Sequence, residues 1–139
     1  MKIAFDTNVI LDAIESRADY KTAQALILAV AREQISGMVA GSSVTDIYYI
    51  SKKHIGDAAA REAIANLLTV FDVACVDGEI CGDVLDLPMP DYEDAVLACC
   101  AARAAADYIV TRDQVFLDAE SCPVKRIAPA VLLSILLAE

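Results

Sequence analysis

The sequence predicts an α/β protein in which helices cover both faces of a central parallel sheet, giving a three-layer α/β/α sandwich with four to five short strands. Short apolar segments alternate along the chain with longer segments that have helical spacing, which is typical of parallel sheets crossed by helices. Segments such as Tyr108-Ile109-Val110 are continuously apolar, so both of their faces must be buried. The 139 residues contain no linker and no repeat, which predicts a single domain, residues 1–139.

The first half of the chain predicts two strands and four helices. Polar residues mark the helix starts and apolar residues recur at helical spacing within them. The elements are a strand at Lys2–Phe5, a helix beginning near Val9, a helix at Tyr20–Arg32, a strand at Met38–Ala40, a helix at about Val44–Lys53 capped by Ser42 and Ser43, and a helix after Gly56-Asp57 with Ala60, Ile64, Leu67 and Leu68 on one face.

The second half predicts three further strands, alternating with helices. Proline marks two of the helix starts, because its fixed φ suits the first turn. The elements are a strand at Phe71–Val76, a short helix at Glu79–Leu85, a helix after Pro90 that Asp91 caps and that continues through Ala95–Ala105, a strand at Tyr108–Val110, a short strand at Val124–Ile127, and a C-terminal helix starting at Pro129.

Composition limits the classes of function. The net charge of −10 repels phosphate backbones and argues against broad, non-specific nucleic-acid binding, unless a local basic patch or a bound cation reverses the sign at one place. The five cysteines form no CxxC pair and His54 is the only histidine, so we expect reduced thiols and no structural zinc.

The chain also lacks signals for a membrane. A lysine follows Met1 directly, and the longest apolar tracts, residues 95–102 and 128–138, are shorter than the ~20 residues that a membrane span requires. No apolar stretch of a secretory signal follows the first residues. We therefore expect a soluble cytoplasmic protein with no membrane partner.

Acidic residues follow the predicted strands, where ligands of parallel sheets bind. Asp6 and Asp113 each come directly after a strand, although either could be only a helix cap or turn residue. Asp46 lies in a helix with apolar residues on most of its circumference, and aspartate is a poor helix former. Its position in the first turn, next to the helix dipole, is one explanation, and metal ligation is the other. Asp91 has the spacing of a cap, which leaves Glu93 or Asp94 free to point over the end of the sheet.

Four carboxylates in one place imply a cation. Two charges 4 Å apart repel by ~4 kcal/mol at an effective dielectric constant of about 20. Oxygen ligands without a Cys or His cluster favour Mg²⁺ or Mn²⁺ over zinc. Such ions activate water and stabilise phosphoryl-transfer transition states, so hydrolysis of a phosphodiester or a phosphomonoester is the predicted chemistry.

Four segments in order resemble the PIN domain family. They are Asp6-Thr7-Asn8-Val9-Ile10-Leu11-Asp12, Ser43-Val44-Thr45-Asp46-Ile47-Tyr48-Tyr49-Ile50, Asp91-Tyr92-Glu93-Asp94-Ala95 and Tyr108-Ile109-Val110-Thr111-Arg112-Asp113, and the resemblance covers nearly the whole chain. It implies a PIN-like, Rossmann-like fold and a Mg²⁺- or Mn²⁺-dependent endoribonuclease. Many members are VapC-like toxins of toxin–antitoxin pairs and form homodimers, so RNA, an antitoxin and a second copy are the implied partners.

The resemblance also assigns roles to residues. Asp6, Asp94 and Asp113 match the acids that hold the metal, and Asp46 stands where many members have a glutamate, with the role of orienting or deprotonating water. Asn8 and Thr111 match polar residues that support the metal ligands through hydrogen bonds. The residues Gln114-Val115 stand where many members have a further acid before phenylalanine. Lys52, Lys53 and Arg112 could hold the phosphate backbone, although solvation of a helix end explains the two lysines equally well.

Two other functions remain open at this stage. A haloacid-dehalogenase-like phosphatase is suggested by Asp6 after the first strand and by Gly82-Asp83 with Asp86, but Asn8 stands where such enzymes carry a second aspartate. The other alternative is a PIN scaffold with impaired catalysis that serves in binding or dimerisation, which the acidic charge and the departures at Asp46 and Val115 suggest.

Overall fold

The computed structural model describes residues 1–17 and 19–139. All strands found there are parallel and form one sheet, which confirms the predicted parallel sheet. They are β1 (Lys2–Phe5), β2 (Ser36–Ala40), β3 (Asp72–Ala74), β4 (Tyr108–Val110) and β5 (Arg126–Ile127). Their order across the sheet is β3-β2-β1-β4-β5.

Helices connect the strands throughout. Those within the described residues are α1 (Thr7–Glu15), α2 (Tyr20–Ala31), α3 (Gly41–Ile55), α4 (Asp57–Val70), α5 (Gly78–Asp83), α6 (Tyr92–Arg103), α7 (Gln114–Leu117) and α8 (Pro129–Leu137), with a 3-10 turn at Val84–Asp86 after α5. No helix within this part of the chain has both the length and the hydropathy that crossing a bilayer requires.

Two predicted details of helix α3, its start and its cap, are wrong. Helix α3 begins at Gly41 with Ala40 as its N-cap, so Ser42 and Ser43 lie in its first turn and do not cap it. The chain passes from β2 into α3 without a loop, which leaves no room for a serine cap. Leu68, predicted on one face of its helix with Ala60, is 51% exposed, whereas Ala60 is fully buried.

The alternation of side chains along the strands builds two separate cores. In β1, Ile3 and Phe5 point to one face of the sheet and Ala4 points to the other. Helices α1–α4 and α8 pack on the first face, and α5–α7 pack on the second. Small buried residues of α6, including Ala98, meet Ala4 there, which lets the helix approach the sheet closely. The predicted three-layer sandwich is therefore confirmed.

The topology places a crevice between β1 and β4. From β1 the chain adds β2 and then β3 on one side, and it later crosses back to add β4 on the other side of β1. In open parallel sheets, ligands bind at the carboxyl ends of strands where the order reverses in this way. Phe5 pairs with Val110, so the residues after them, Asp6 and Thr111, emerge side by side at this switch point.

Gly37 in β2 provides a test of how tightly the first core is packed. A Cβ atom at this position would lie 2.7 Å from the Phe71 side chain and 2.9 Å from Val30. We expect Gly37→Ala to lower the free energy of unfolding by about 1–3 kcal/mol through overpacking. Urea denaturation should show a lower midpoint at an unchanged m-value.

The matched control is Gly82→Ala in α5, where a Cβ atom would meet nothing within 4 Å. Its stability should stay the same or rise by up to about 1 kcal/mol, because alanine is the better helix former. Equal midpoints for the two variants would show that the packing around Gly37 is looser than described.

Candidate active site

A cleft of about 440 Å³ opens at the carboxyl ends of β1 and β4. Six of the ten described residues that line it are acids and none is basic. The lining residues are Asp6, Thr7, Asn8, Leu11, Asp46, Ile50, Asp91, Glu93, Asp94 and Asp113. The structure thus brings together all four aspartates that the sequence analysis singled out.

Asp6 is the most buried acid of the cleft. Its side chain follows β1, and the residue is only 8% exposed. The Oδ1 atom accepts a hydrogen bond from the Thr7 backbone N–H (2.8 Å), and Oδ2 accepts from Thr111 Oγ1 (2.7 Å) and Asn8 Nδ2 (3.1 Å). Asp6 therefore caps α1, as its alternative interpretation predicted, and it also faces the cleft. Asn8 and Thr111, the residues predicted to support it, both contact it.

Thr111 joins the ends of two strands. It is fully buried, and its hydroxyl donates to Asp6 and accepts the backbone N–H of Asp113 at 3.1 Å. Asp113 Oδ1 in turn accepts from the Val115 backbone N–H at 3.0 Å and caps α7. One hydroxyl group thereby sets the positions of the acids that follow β1 and β4.

The first turn of α6 supplies three more acids. Asp91 Oδ1 accepts the Asp94 backbone N–H at 3.0 Å, which is the cap predicted for it. Asp94 and Glu93 both reach the cleft, and the Glu93 carboxyl group contacts that of Asp46. The sequence could not decide whether Glu93 or Asp94 points over the end of the sheet, because adjacent residues of a first turn can both reach it. In the structure both do.

Crowding of carboxyl groups changes their acidity. Burial, followed by the charges of Asp6, Asp91 and Asp113, raises the pKa of Asp94 to about 7. Contact with Asp46, then burial, raises the pKa of Glu93 to about 7. Burial also raises the pKa of Asp6, although the hydrogen bonds from Thr111 and Thr7 oppose this shift. The cleft without a cation therefore retains protons near neutral pH.

The donor set of the cleft fits a hard divalent cation. All ligand candidates are oxygens, and the Asn8 Oδ1 atom is buried without a hydrogen-bond partner among the described residues. Such an acceptor beside Asp6 suits a water molecule bound to a cation. Within residues 1–17 and 19–139, no three acids, cysteines or histidines form a ready-made metal-binding group.

The basic residues considered for phosphate binding lie in different surroundings. Arg112 forms two hydrogen bonds with the buried carboxylate of Asp12. Lys52 Nζ lies 5.7 Å from the centre of the Tyr48 ring. Arg112 is thus the one of these three whose orientation a buried partner determines.

Of the acids that suggested a phosphatase, Asp6 lines this cleft, whereas Asp83 and Asp86 do not. Asp83 and Asp86 line a separate cavity of about 440 Å³ together with Cys99 and Arg103. Asn8, which stands where such enzymes need a second aspartate, uses its amide to hold Asp6. The structure therefore brings no second acid of this motif to Asp6.

The fold and the cleft together define an α/β protein with an acid-lined crevice at a topological switch point. The family model of the PIN domain matches residues 2–115, which is most of the chain. The chain belongs to the PIN domain family. A comparison with curated protein sequences found no significant match.

Solved structures with the same fold include toxin–antitoxin proteins. VapBC2 from Rickettsia felis, bound to a promoter DNA fragment, has a TM-score of 0.69 at 14% identity over 92% of this chain and 98% of that one. VapC20 from Mycobacterium tuberculosis, a Sarcin-Ricin loop cleaving toxin, has a TM-score of 0.68 at 17% identity, over 82% of this chain and 92% of that one. A toxin–antitoxin complex from Klebsiella pneumoniae has a TM-score of 0.65 at 16% identity, over 91% of this chain and 97% of that one. At these identities, the likeness establishes the fold.

The raised pKa of Asp94 predicts how stability depends on pH without a metal. The folded protein keeps this proton up to about pH 7, whereas the unfolded chain, with its ordinary pKa of 3.8, releases it earlier. Folding is therefore penalised increasingly as pH rises from about 4 to 7. Asp94→Asn should raise the free energy of unfolding at pH 8 by about 1–2 kcal/mol, after allowance for solvent screening of a half-buried group.

Thermal unfolding in chelator at pH 4 to 8 would measure this difference. The melting temperature of Asp94→Asn should exceed that of the wild type at pH 8, and the gap should close towards pH 4. Asp86→Asn, which replaces an exposed aspartate outside the cleft, should follow the wild type throughout. An Asp94→Asn curve parallel to the wild type would show that the acids do not repel one another in the folded state.

Proposed function

We propose that the protein is a divalent-metal-dependent endoribonuclease that hydrolyses RNA phosphodiester bonds. The observation that carries this proposal is the placement of Asp6, Asp46, Asp94 and Asp113 in one cleft at the switch point of a PIN fold. The hydrogen bonds that hold Asp6 to Asn8 and Thr111 support it, since they orient one carboxylate rigidly.

Asp6, Asp94 and Asp113 would hold Mg²⁺ or Mn²⁺ together with water. Such an ion would supply charge neutralisation at the phosphate and activation of water. Asp46, with Glu93 against it, orients the attacking water and takes its proton. The water oxygen forms a new bond to phosphorus as one phosphodiester P–O bond breaks in line, and the departing sugar oxygen takes a proton from bulk water.

The biological setting that we propose is a toxin–antitoxin pair. Two of the similar structures, VapBC2 and the complex from Klebsiella pneumoniae, are named as VapBC or as a toxin–antitoxin complex, which supports an antitoxin protein as partner. RNA is the proposed substrate, a homodimer the proposed assembly and the cytoplasm the proposed location. Residues 1–139 would act as a single PIN domain.

Cleavage of a mixed RNA pool tests the activity. With Mg²⁺ or Mn²⁺, the wild type should cut RNA, chelator should abolish cutting, and Asp94→Asn should be at least about 100-fold slower, because a carboxylate that holds the metal is lost. Asp86→Asn controls for the preparation. A rise in melting temperature on adding Mn²⁺, large in the wild type and small in Asp94→Asn, reports metal binding independently of cutting.

Two outcomes would count against the nuclease. If wild type and Asp94→Asn cut equally, the activity belongs to a contaminant. If the folded wild type leaves the RNA pool uncut in Mn²⁺ and its melting temperature does not change, the binding-scaffold alternative is favoured over the nuclease.

For the homodimer, the hairpin of α3 and α4 is the surface that we propose. An apolar groove of about 460 Å³ lies between these helices, and Tyr49 and Leu68 at its walls are 58% and 51% exposed. Exposed patches of this kind mark interaction sites more often than scattered residues do. The apolar C-terminal helix α8, where Leu137 is 77% exposed, is the competing surface.

Light scattering with size exclusion distinguishes the two surfaces. The wild type should have twice the 14.8 kDa mass of the chain, and Leu68→Glu should convert it to a monomer by burying a charge in the interface. Leu137→Glu should leave the dimer intact. The reverse pattern would assign dimerisation to α8, and a monomeric wild type would remove the homodimer from the proposal.

A further inference from the structure

An ion pair between the buried Asp12 and the partly exposed Arg112 lies next to residues of the acid cleft in the chain. Asp12 on α1 is only 3% exposed, and its carboxylate accepts two hydrogen bonds from Arg112, from Nε to Oδ2 at 2.6 Å and from Nη2 to Oδ1 at 3.0 Å. Arg17 Nε lies 3.3 Å from the same Oδ1. A bidentate, charge-assisted pair of this kind holds a guanidinium group in one orientation. The Arg112 side chain is nevertheless 44% exposed, so part of it faces solvent.

The chain places this guanidinium next to the candidate metal ligands. Arg112 comes between Thr111, whose hydroxyl donates to Asp6, and Asp113, which lines the cleft. The guanidinium group therefore belongs to a residue between two residues of the site, although Arg112 is not part of the lining of the cleft.

Asp12 uses only part of the guanidinium group. Arginine has five N–H donors, and the pair with Asp12 engages one on Nε and one on Nη2. Among the described residues, Nη1 has no acceptor. The remaining N–H groups form the second edge of a planar fork, whose geometry matches two oxygens of a phosphate.

We propose that Arg112 binds the non-bridging oxygens of the RNA phosphate that lies next to the acid cleft, and that Asp12 is the residue that positions it. This inference rests on the proposed nuclease function. A chain with a net charge of −10 needs a local cation to hold a phosphate beside six acids. Because Asp12 holds Arg112 before the substrate arrives, the cation does not have to reorganise on binding.

A merely structural pair would instead tie the segment after β4 to α1 and hold Asp113 in place. The variant that separates the two roles is Asp12→Asn combined with Arg112→Gln, which replaces the ion pair by two amides that can still hydrogen-bond. It leaves neither a buried unpaired charge nor a phosphate-binding cation. Arg112→Lys is the second variant, since lysine keeps the charge and the ion pair but lacks the fork.

Asp77 and Arg103 provide a matched control. Their carboxylate and guanidinium groups also form two hydrogen bonds, of 3.0 and 3.2 Å. Arg103 lies nine residues after Asp94 on α6, about 14 Å along the helix axis. The double variant Asp77→Asn with Arg103→Gln therefore removes an ion pair with the same two-bond geometry far from the cleft, although the Asp77 side chain is 43% exposed and that of Asp12 only 4%.

Three readouts are compared across these proteins. The first is binding of a single-stranded RNA oligonucleotide in Ca²⁺ at several salt concentrations. The second is kcat/KM for cleavage in Mn²⁺, and the third is the rise in melting temperature caused by Mn²⁺ alone.

In the Asp12/Arg112 double variant, the slope of log K for RNA binding against log salt should fall in magnitude by about 0.7, the value for one lost phosphate contact on a single strand. Its kcat/KM should fall on the order of 100-fold, with the Mn²⁺-induced shift unchanged.

The other two variants should differ from the Asp12/Arg112 variant in these readouts. Arg112→Lys should keep the salt slope of the wild type but lose about 10-fold or more in kcat/KM, because a point charge cannot replace the fork. The Asp77/Arg103 variant should match the wild type in all three readouts.

The proposal is overturned if the folded Asp12/Arg112 variant retains the wild-type salt slope and kcat/KM. It is also overturned if that variant loses the Mn²⁺-induced shift together with activity, since Arg112 would then act by holding Asp113. If the wild type binds Mn²⁺ but neither binds nor cuts RNA, the nuclease proposal fails as well. If the wild type cuts RNA and the Asp12/Arg112 variant cuts it equally well, only the role of Arg112 is rejected and the nuclease proposal stands.

Discussion

The hydrogen bond from Thr111 Oγ1 to Asp6 Oδ2, 2.7 Å long and buried, is the interaction on which the site depends. It exists because β1 and β4 pair in parallel with Phe5 opposite Val110, so that the next residue of each strand emerges at the same edge. A buried carboxylate is costly without partners, and Asp6 has a hydroxyl, an amide and a backbone N–H. Every other acid of the cleft is placed around this carboxylate.

This crowding of acids lowers the stability of the folded protein when no cation is bound. The pKa of Asp94 and that of Glu93, both raised to about 7, show that the folded state disfavours ionised acids here. The two apolar cores on opposite faces of the sheet supply the stability that the cleft lowers. A divalent cation would reverse the effect, because the same crowding that raises these pKa values attracts positive charge. Folding and metal binding are then linked through the same carboxyl groups.

Local signals in the sequence predicted most of the fold and the acids of the cleft. Apolar runs defined the strands, and Asp6 and Asp91 had the positions of caps, which they occupy. The start of α3 was misplaced because Ala40, the actual cap, carries no capping side chain. Helix α7 has only four residues, too few for periodicity to show. The pair of Asp12 and Arg112 was missed because residues 100 positions apart meet only through the sheet.

The contact between Asp46 and Glu93 bears on how this chain departs from the usual pattern of its family. Asp46 is shorter than the glutamate that many members carry, and Val115, where others have a further acid, is 56% exposed and does not line the cleft. Glu93 enters the cleft from α6 and meets Asp46 directly. Two carboxyl groups in contact require a proton or a cation between them. Glu93 thus adds a second carboxyl group, from a different helix, beside the short side chain at position 46.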